Sequence, residues 1–239
     1  MTDGRPAIKA AVMQPYFFPY AGYFQLIAAV DVFVVYDNIQ YTKRGWINRN
    51  RILCDGAPAT FSLPLKKASD YLDVRERELA ADFRRDKLLN RIRGAYRPAP
   101  FFEPTYALVE EIVGHPENNL FRFLHHSISR ICAHLKLPAA IRISSEIPID
   151  HGLRSQDKVI ALCRALGAAI YVNAMGGVEL YSPGAFKAQG IDLKFLRPKP
   201  FEYAQFKPGF TPSLSIIDVL MFNPIEAARA HVLGDYELI

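Results

Sequence analysis

Two near-continuous apolar runs close to the amino terminus limit the fold more than any other feature. IKAAVMQ (residues 8–14) and VDVFVVYD (residues 30–37) lack the alternation of a strand wetted on one side. They read as strands buried on both faces, the pattern of a parallel sheet covered by helices. Between them GYFQLIAA (residues 22–29) sets Tyr23, Leu26 and Ile27 at the spacing of one helix face. The unit is β-turn-α-β with an expected right-handed crossover. Residues 15–20 then fall at the carboxyl end of the first strand, where open α/β sheets keep their ligands. That loop belongs to QPYFFPYAGYFQLI (residues 14–27), which carries six aromatic rings and two prolines. Such rings serve either as a core corner or as the walls of a ligand-binding turn, and the position after a strand favours the turn.

The second run leads directly into NIQYTKRGWINRNRIL (residues 38–53), where Gln40, Tyr41, Lys43, Arg44, Asn48, Arg49, Asn50 and Arg51 surround Trp46, the only tryptophan. Arginine forks suit phosphate or carboxylate, amides read polar edges, and an indole stacks on a base or sugar. The bland alternative is a hairpin whose charges face water. Over the whole chain, 29 Lys and Arg stand against 24 Asp and Glu, a net charge of +5. This balance suits an anionic small molecule as well as nucleic acid. Because the basic residues are compact rather than striped along the chain, a small phosphorylated ligand fits better than nucleic acid.

With 239 residues, half of them apolar, the chain can bury a sizeable core. TFSLPLKK (residues 60–67) reads as a further strand. Residues 80–137 then change to helical spacing, broken at Gly94, around residues 98–104 and at Gly114-His115-Pro116. IRISSEIP (residues 141–148), a helix QDKVIALCRALGA capped by Ser155, AIYVNAM (residues 169–175) and IDLKFL (residues 191–196) return to α/β. The expectation is one α/β domain over residues 1–239: a Rossmann-like, open, mainly parallel sheet with a helical insertion at 80–137. Gly176-Gly177 follows a strand and permits close backbone approach to a ligand.

Other classes find little support. The three cysteines form no Cys-x-x-Cys pair and sit in apolar segments, as buried thiols do. His125 and His126 are adjacent on a predicted helix and diverge by about 100 degrees, so no metal site is expected. Walker, G-x-S-x-G and HExxH patterns are absent. No run reaches the roughly 18 apolar residues of a membrane span, and no secretory leader is legible, which points to a cytoplasmic protein. Candidates for a general base are Asp37, His151 and Asp218, the last being a polar minority in the apolar helix LSIIDVLMFNP. The residues specify neither a cofactor nor an oligomeric state.

QPYFFPYAGYFQLI, YDNIQYTKRGWINRNRIL and LSIIDVLMFN, with LGAAIYVNAMGG, Tyr181 and GIDLKFL in order between them, resemble the WbqC-like family over nearly the whole chain. The family is found with bacterial surface-polysaccharide (O-antigen) genes. The resemblance implies acyl or aminoacyl transfer to the amine of a nucleotide-linked sugar. The ligand would be held by Gln14, Tyr16, Tyr20, Gly22, Tyr23, Gln40, Lys43, Arg44, Trp46, Asn48, Arg49, Arg51, Asn173, Gly176 and Tyr181. One departure is Asn173-Ala174, where the resemblance leads one to expect Ser-Gly; an amide there bears on ligand preference. YAGY (residues 20–23) is also similar to the His-x-Gly-His turn of HIGH nucleotidyltransferases, with Tyr20 and Tyr23 in the histidine places. That likeness implies nucleotidyl transfer or adenylate formation, with phosphate at Gly22 and the helix start. A non-catalytic nucleotide or nucleic-acid binding module is the third alternative.

Overall fold

The computed structural model describes residues 7–239. Strand β1 (Lys9–Met13) buries its three middle residues, as its apolar run requires. It pairs in parallel with β2 (Val32–Val35), Ala11 opposite Phe33, and helix α1 (Ala21–Ala28) makes the crossover. After β2 the chain leaves the sheet for an antiparallel hairpin, β3 (Arg49–Cys54) with β4 (Ala57–Ser62). Helices α2 (Arg85–Tyr96), α3 (Phe102–Gly114) and α4 (Leu120–His134) follow and lead to β5 (Ala140–Ile143), parallel to β2. Helix α5 (Ser155–Ala165) then carries the chain across to β6 (Ile170–Ala174), parallel to β1 on its free side. Helix α6 (Pro183–Lys187) precedes β7 (Asp192–Pro198), parallel to β6. Helices α7 (Ile216–Phe222) and α8 (Ile225–Gly234) end at β8 (Tyr236–Leu238), antiparallel to β7 at the edge.

The strand order β5-β2-β1-β6-β7-β8 is that of an open Rossmann-like sheet. Growth reverses direction between β1 and β6, and such a reversal opens a crevice at the carboxyl ends of the strands. Successive residues of a strand face opposite sides, and each side has its own core. Ala11, Phe33, Val35 and Val172 face α1 and the helices α2, α3, α4, α7 and α8. Ala10, Val12, Val34 and Tyr171 face Val159, Leu162 and Cys163 of α5 and Phe186 of α6. Helix α1 is apolar except for Gln25, whose buried amide donates to His231 O and Asp235 O, and it buries Gly22 through Ile27. Ile92, Ile112 and Phe123, from the three helices of the middle segment, join the same core as Phe33, so this segment packs as part of the helical layer.

Two local readings change. The strand predicted over residues 141–148 stops pairing at Ile143, because Ser144 turns to donate its hydroxyl to Asp37 Oδ1 at 2.9 Å. Ser155 does not cap α5: it is the first helical residue, at φ +46°, and Arg154 holds the cap position without a side-chain bond. Among the described residues no helix is long and apolar enough to cross a membrane.

Candidate functional site

The loop after β1 divides its aromatic rings between core and cleft. Phe17 and Phe18 are fully buried, with ring centres 4.6 Å apart and planes tilted by 51°. Phe18 takes φ +43°, a left-handed conformation that costs a residue with a Cβ about 1–2 kcal/mol. Distant segments hold it there. Phe18 O accepts hydrogen bonds from Asn50 Nδ2 and Ser215 Oγ, both at 2.8 Å. Phe17 N donates to Ile47 O at 3.0 Å, and Ile216 N donates to Pro19 O at 2.8 Å. With its inner rings fixed, the loop presents Tyr16 and Tyr20 outward.

These tyrosines wall a cleft of about 440 Å³ at the carboxyl ends of β1 and β6. Gln14, Tyr16, Tyr20, Gly22, Tyr23, Trp46, Asn173, Gly176 and Tyr181, all expected at the site, line it. Burial pushes the Tyr16 and Tyr20 phenols above their ordinary value, so both remain neutral donors. The Tyr23 hydroxyl is already engaged, donating to Gln14 O at 2.9 Å. Gly22 has a local reason: a Cβ there would strike the Tyr20 ring. That ring lies where the His-x-Gly-His likeness puts a phosphate. At Gly177 a Cβ would strike Asn173 Nδ2, so the second glycine of the pair makes room for the asparagine amide. Asn173 Oδ1 is fixed by Ala174 N at 2.8 Å.

The basic stretch separates by role. Tyr16, Tyr20, Trp46 and Arg51 border an annex of about 280 Å³. The guanidinium carbons of Arg51 and Arg49 lie 5.5 and 5.6 Å from the Trp46 ring centre. Arg51 Nη2 donates to Ser213 O at 3.1 Å, and Arg49 Nε donates to Gly45 O at 2.9 Å, bracing the turn. Lys43, Arg44, Asn48 and Arg49 do not line the cleft or the annex. Lys43 pairs with Asp70 at 2.8 Å, and Asn48 bridges Tyr41 Oη and Leu63 O, both at 2.8 Å. Arg44 faces solvent. The expected three-arginine cradle is therefore reduced at these cavities to Arg51, because turn carbonyls claim Arg49.

Across Tyr36, Ile39, Leu180 and Tyr181 the cleft borders a chamber of about 840 Å³ that includes Asn38, Gln40, Asp73, His151, Arg154 and Lys158. His151 Nδ1 accepts from Asn38 Nδ2 at 2.9 Å and its Nε2 lies 3.1 Å from Ile147 O, which assigns the proton to Nε2. The Gln40 amide donates to Asp70 O at 2.9 Å. Lys158 is only 5% exposed. Its Nζ donates to Asn38 O at 3.3 Å and stands 5.1 Å from the Tyr36 ring centre. Burial pulls the Lys158 amine below its ordinary value and pushes the Tyr36 phenol up to about 12. Sequence reasoning missed Lys158, although a legible sign exists: it stands four residues before Leu162 on the apolar face of α5.

The two carboxylate candidates lie elsewhere. Asp37 is buried, and its Oδ1 accepts from Ser144 Oγ and Ser145 N, both at 2.9 Å, fixing the end of β5 to β2. Asp218, on α7, is fully buried and accepts from Tyr96 Oη, Tyr203 Oη and Gln205 Nε2, each at 2.7 Å. Neither lines the cleft, annex or chamber. Asp218 thus occupies the anchoring position, because an enclosed carboxylate needs these donors. Among the described residues no group of three or more His, Cys, Asp or Glu could hold a metal ion. His126 instead stacks on His115 at 3.8 Å.

Comparison with known proteins bears on this arrangement. The uncharacterized protein Rv1507c of Mycobacterium tuberculosis (strain ATCC 25618 / H37Rv) is 28% identical over 218 residues, covering 90% of this chain and 93% of that protein. The description of the WbqC-like protein family matches residues 14–230, a span that begins at the cleft glutamine and covers all of the cleft's lining except Val12 and Met13, so the chain belongs to the WbqC-like family.

Proposed function

We propose that the protein is a transferase that binds a nucleotide-linked sugar and moves an acyl or aminoacyl group onto the sugar's amine, serving surface-polysaccharide (O-antigen) synthesis in the cytoplasm. The observation that carries this reading is the aromatic cleft at the sheet's reversal. Tyr16, Tyr20 and Trp46 offer flat walls to a base or sugar ring, while Gln14 and Asn173 offer amides to its polar edges.

The adjoining chamber gives the transfer its own compartment. An amine forming a bond to an acyl carbon must release a proton as the donor's leaving group departs, and a positioned base accepts it. Of Asp37, His151 and Asp218, His151 alone borders the chamber. Its Nδ1 is the acceptor, reached when the amine takes the place of the Asn38 amide, and the proton passes on to the leaving group. Nucleotidyl transfer is the weaker reading, since the Tyr20 ring covers Gly22 at the start of α1.

Thermal-shift titration with nucleotide sugars, acyl-CoAs and ATP tests the proposal, because a ligand preferring the folded state raises its melting temperature. Nucleotide sugars should stabilise the protein, and Trp46→Ala should weaken their binding about tenfold or more through lost stacking. Trp46 is 39% exposed, so the variant should fold normally. Stabilisation by ATP with release of pyrophosphate, and by no nucleotide sugar, would defeat the reading.

A further inference from the structure

The basic stretch that announces an anion site in the sequence is largely tied to carbonyls, Asp70 and Trp46, whereas a buried ammonium stands across the cleft with little to hold it. Lys158 is 5% exposed and has one hydrogen bond, to Asn38 O at 3.3 Å. It forms no ion pair with any described carboxylate. An ammonium carries three donors, and enclosing it without a counter-charge is expensive. The nearest carboxylates, Asp73 and Asp37, favour its charge but neither forms an ion pair with it. Asp37 is occupied by Ser144 and Ser145. Asp73, on the chamber wall, donates its N–H to Glu76 Oε2 at 2.8 Å, and its carboxylate lies 3.9 Å from Arg75 Nε. His151 brings no negative charge and is engaged by Asn38 and Ile147. Arg154, also on the wall, adds a second positive charge.

The backbone at this place has the same need. Arg154, Ser155 and Gln156 at the amino end of α5 line the chamber, and no side chain caps that end. The first amides of a helix have no partner within it and carry a partial positive charge. Lys158, on the first turn of α5, aims its ammonium at the Asn38 and Tyr36 side of the same chamber.

We propose that Lys158 and the amino end of α5 form an oxyanion subsite, which receives the phosphate or carboxylate of the ligand whose ring lies in the aromatic cleft. The subsite rests on the transferase reading for the ligand's other half, but its own chemistry requires only an anion. Two sources on that ligand share the chemistry: the diphosphate of a nucleotide sugar, and a carboxylate carried on the sugar ring.

Calorimetric titration of the whole chain with inorganic pyrophosphate and, separately, with acetate decides the matter. At least one anion should bind the native protein, and Lys158→Met should weaken that binding about tenfold, the scale of one lost charge-assisted hydrogen bond. Arg44→Met, on the exposed basic turn, should leave it unchanged. If Lys158→Met fails to fold, Lys158→Gln keeps a donor for Asn38 O and supports the same comparison. Pyrophosphate binding dependent on Lys158 assigns the subsite to a diphosphate, and acetate binding dependent on it assigns a carboxylate. Absence of binding by either anion, or equal affinity in the Lys158 variants, overturns the inference. The two proposals fail separately. Nucleotide-sugar binding lost in Trp46→Ala but untouched in Lys158→Met removes the subsite alone. Lys158-dependent pyrophosphate binding with no nucleotide sugar bound at all removes the transferase reading alone.

Discussion

At the scale of single residues, Asp218 shows how a side chain can be important without touching the cleft. Its two oxygens receive three donors from Tyr96, Tyr203 and Gln205. An asparagine has the same shape, but its NH2 must face at least one of those donors. Tyr96 cannot simply turn, since its oxygen already accepts from Leu53 N at 2.9 Å. Asp218→Asn should therefore lower stability by about 1–3 kcal/mol, as an unsatisfied buried group does, while activity per folded molecule is retained. Urea denaturation with turnover measured in parallel checks both halves. Burial raises the Asp218 carboxyl above its ordinary 3.8, partly opposed by its hydrogen bonds. An acid whose pKa is higher in the folded than in the unfolded state makes the folded state the stronger proton binder. Its contribution to stability thus falls as pH rises from 3.8 through the raised native value. The asparagine variant should lack that component when denaturation midpoints are compared across acidic pH. The enclosure of Asp218 is legible in the apolar residues around it, but its donors are not. Tyr96 comes from a segment 122 positions away, Tyr203 from the loop 15 positions before, and nothing local marks either.

At the scale of elements, the loop of residues 15–20 is a strained turn held from outside. Asn50 Nδ2, on β3, donates to both Phe17 O and Phe18 O, and Asn50 Oδ1 accepts from Arg51 N at 2.9 Å. Asn50→Ala leaves two buried carbonyls short of a donor and releases a left-handed Phe18. We expect a loss of about 2 kcal/mol, and a disproportionate rise in amide exchange at Ile216, whose N–H is bonded to Pro19 O. Exchange that rises no more there than in β6 would mean the loop is held by its own rings. Elements with one dominant cause were legible. The runs of β1 and β2 could be buried only as central parallel strands, and the spacing in α1 and α7 left little alternative to a helix. The hairpin of β3 and β4 was legible only as the bland alternative, because its basic residues also make sense as an anion-binding stretch. Lys158 was hidden because a lysine in an amphipathic helix is ordinarily assigned to water. Its enclosure depends on Tyr36 and Asn38, which lie at the end of another strand.

At the scale of the whole molecule, the sheet separates two cores, and the cysteines report on each. Cys132 belongs to the helical layer that contains Phe33, and Cys163 to the layer of α5 and α6. Burial lifts both thiols to about 12, which makes them poor nucleophiles while folded. Cys54 is half-buried. A thiol-reactive dye at mildly alkaline pH should modify Cys54 first. In mild denaturant Cys132 and Cys163 should follow at one common rate if the chain unfolds as the single unit we propose. Separate rates would show that the layers open independently. The clamp on the aromatic loop carries a consequence in time. Phe18 waits for the hydroxyl of Ser215, 197 positions further along the chain, and β1 waits for β6 to make its second neighbour. During synthesis, a chain that has emitted β6 but not Ser215 has the loop's rings and the second neighbour of β1 but not the hydroxyl that holds Phe18. The shape of the cleft is consequently set only once residue 215 has joined the fold, and copies truncated before it lack that support.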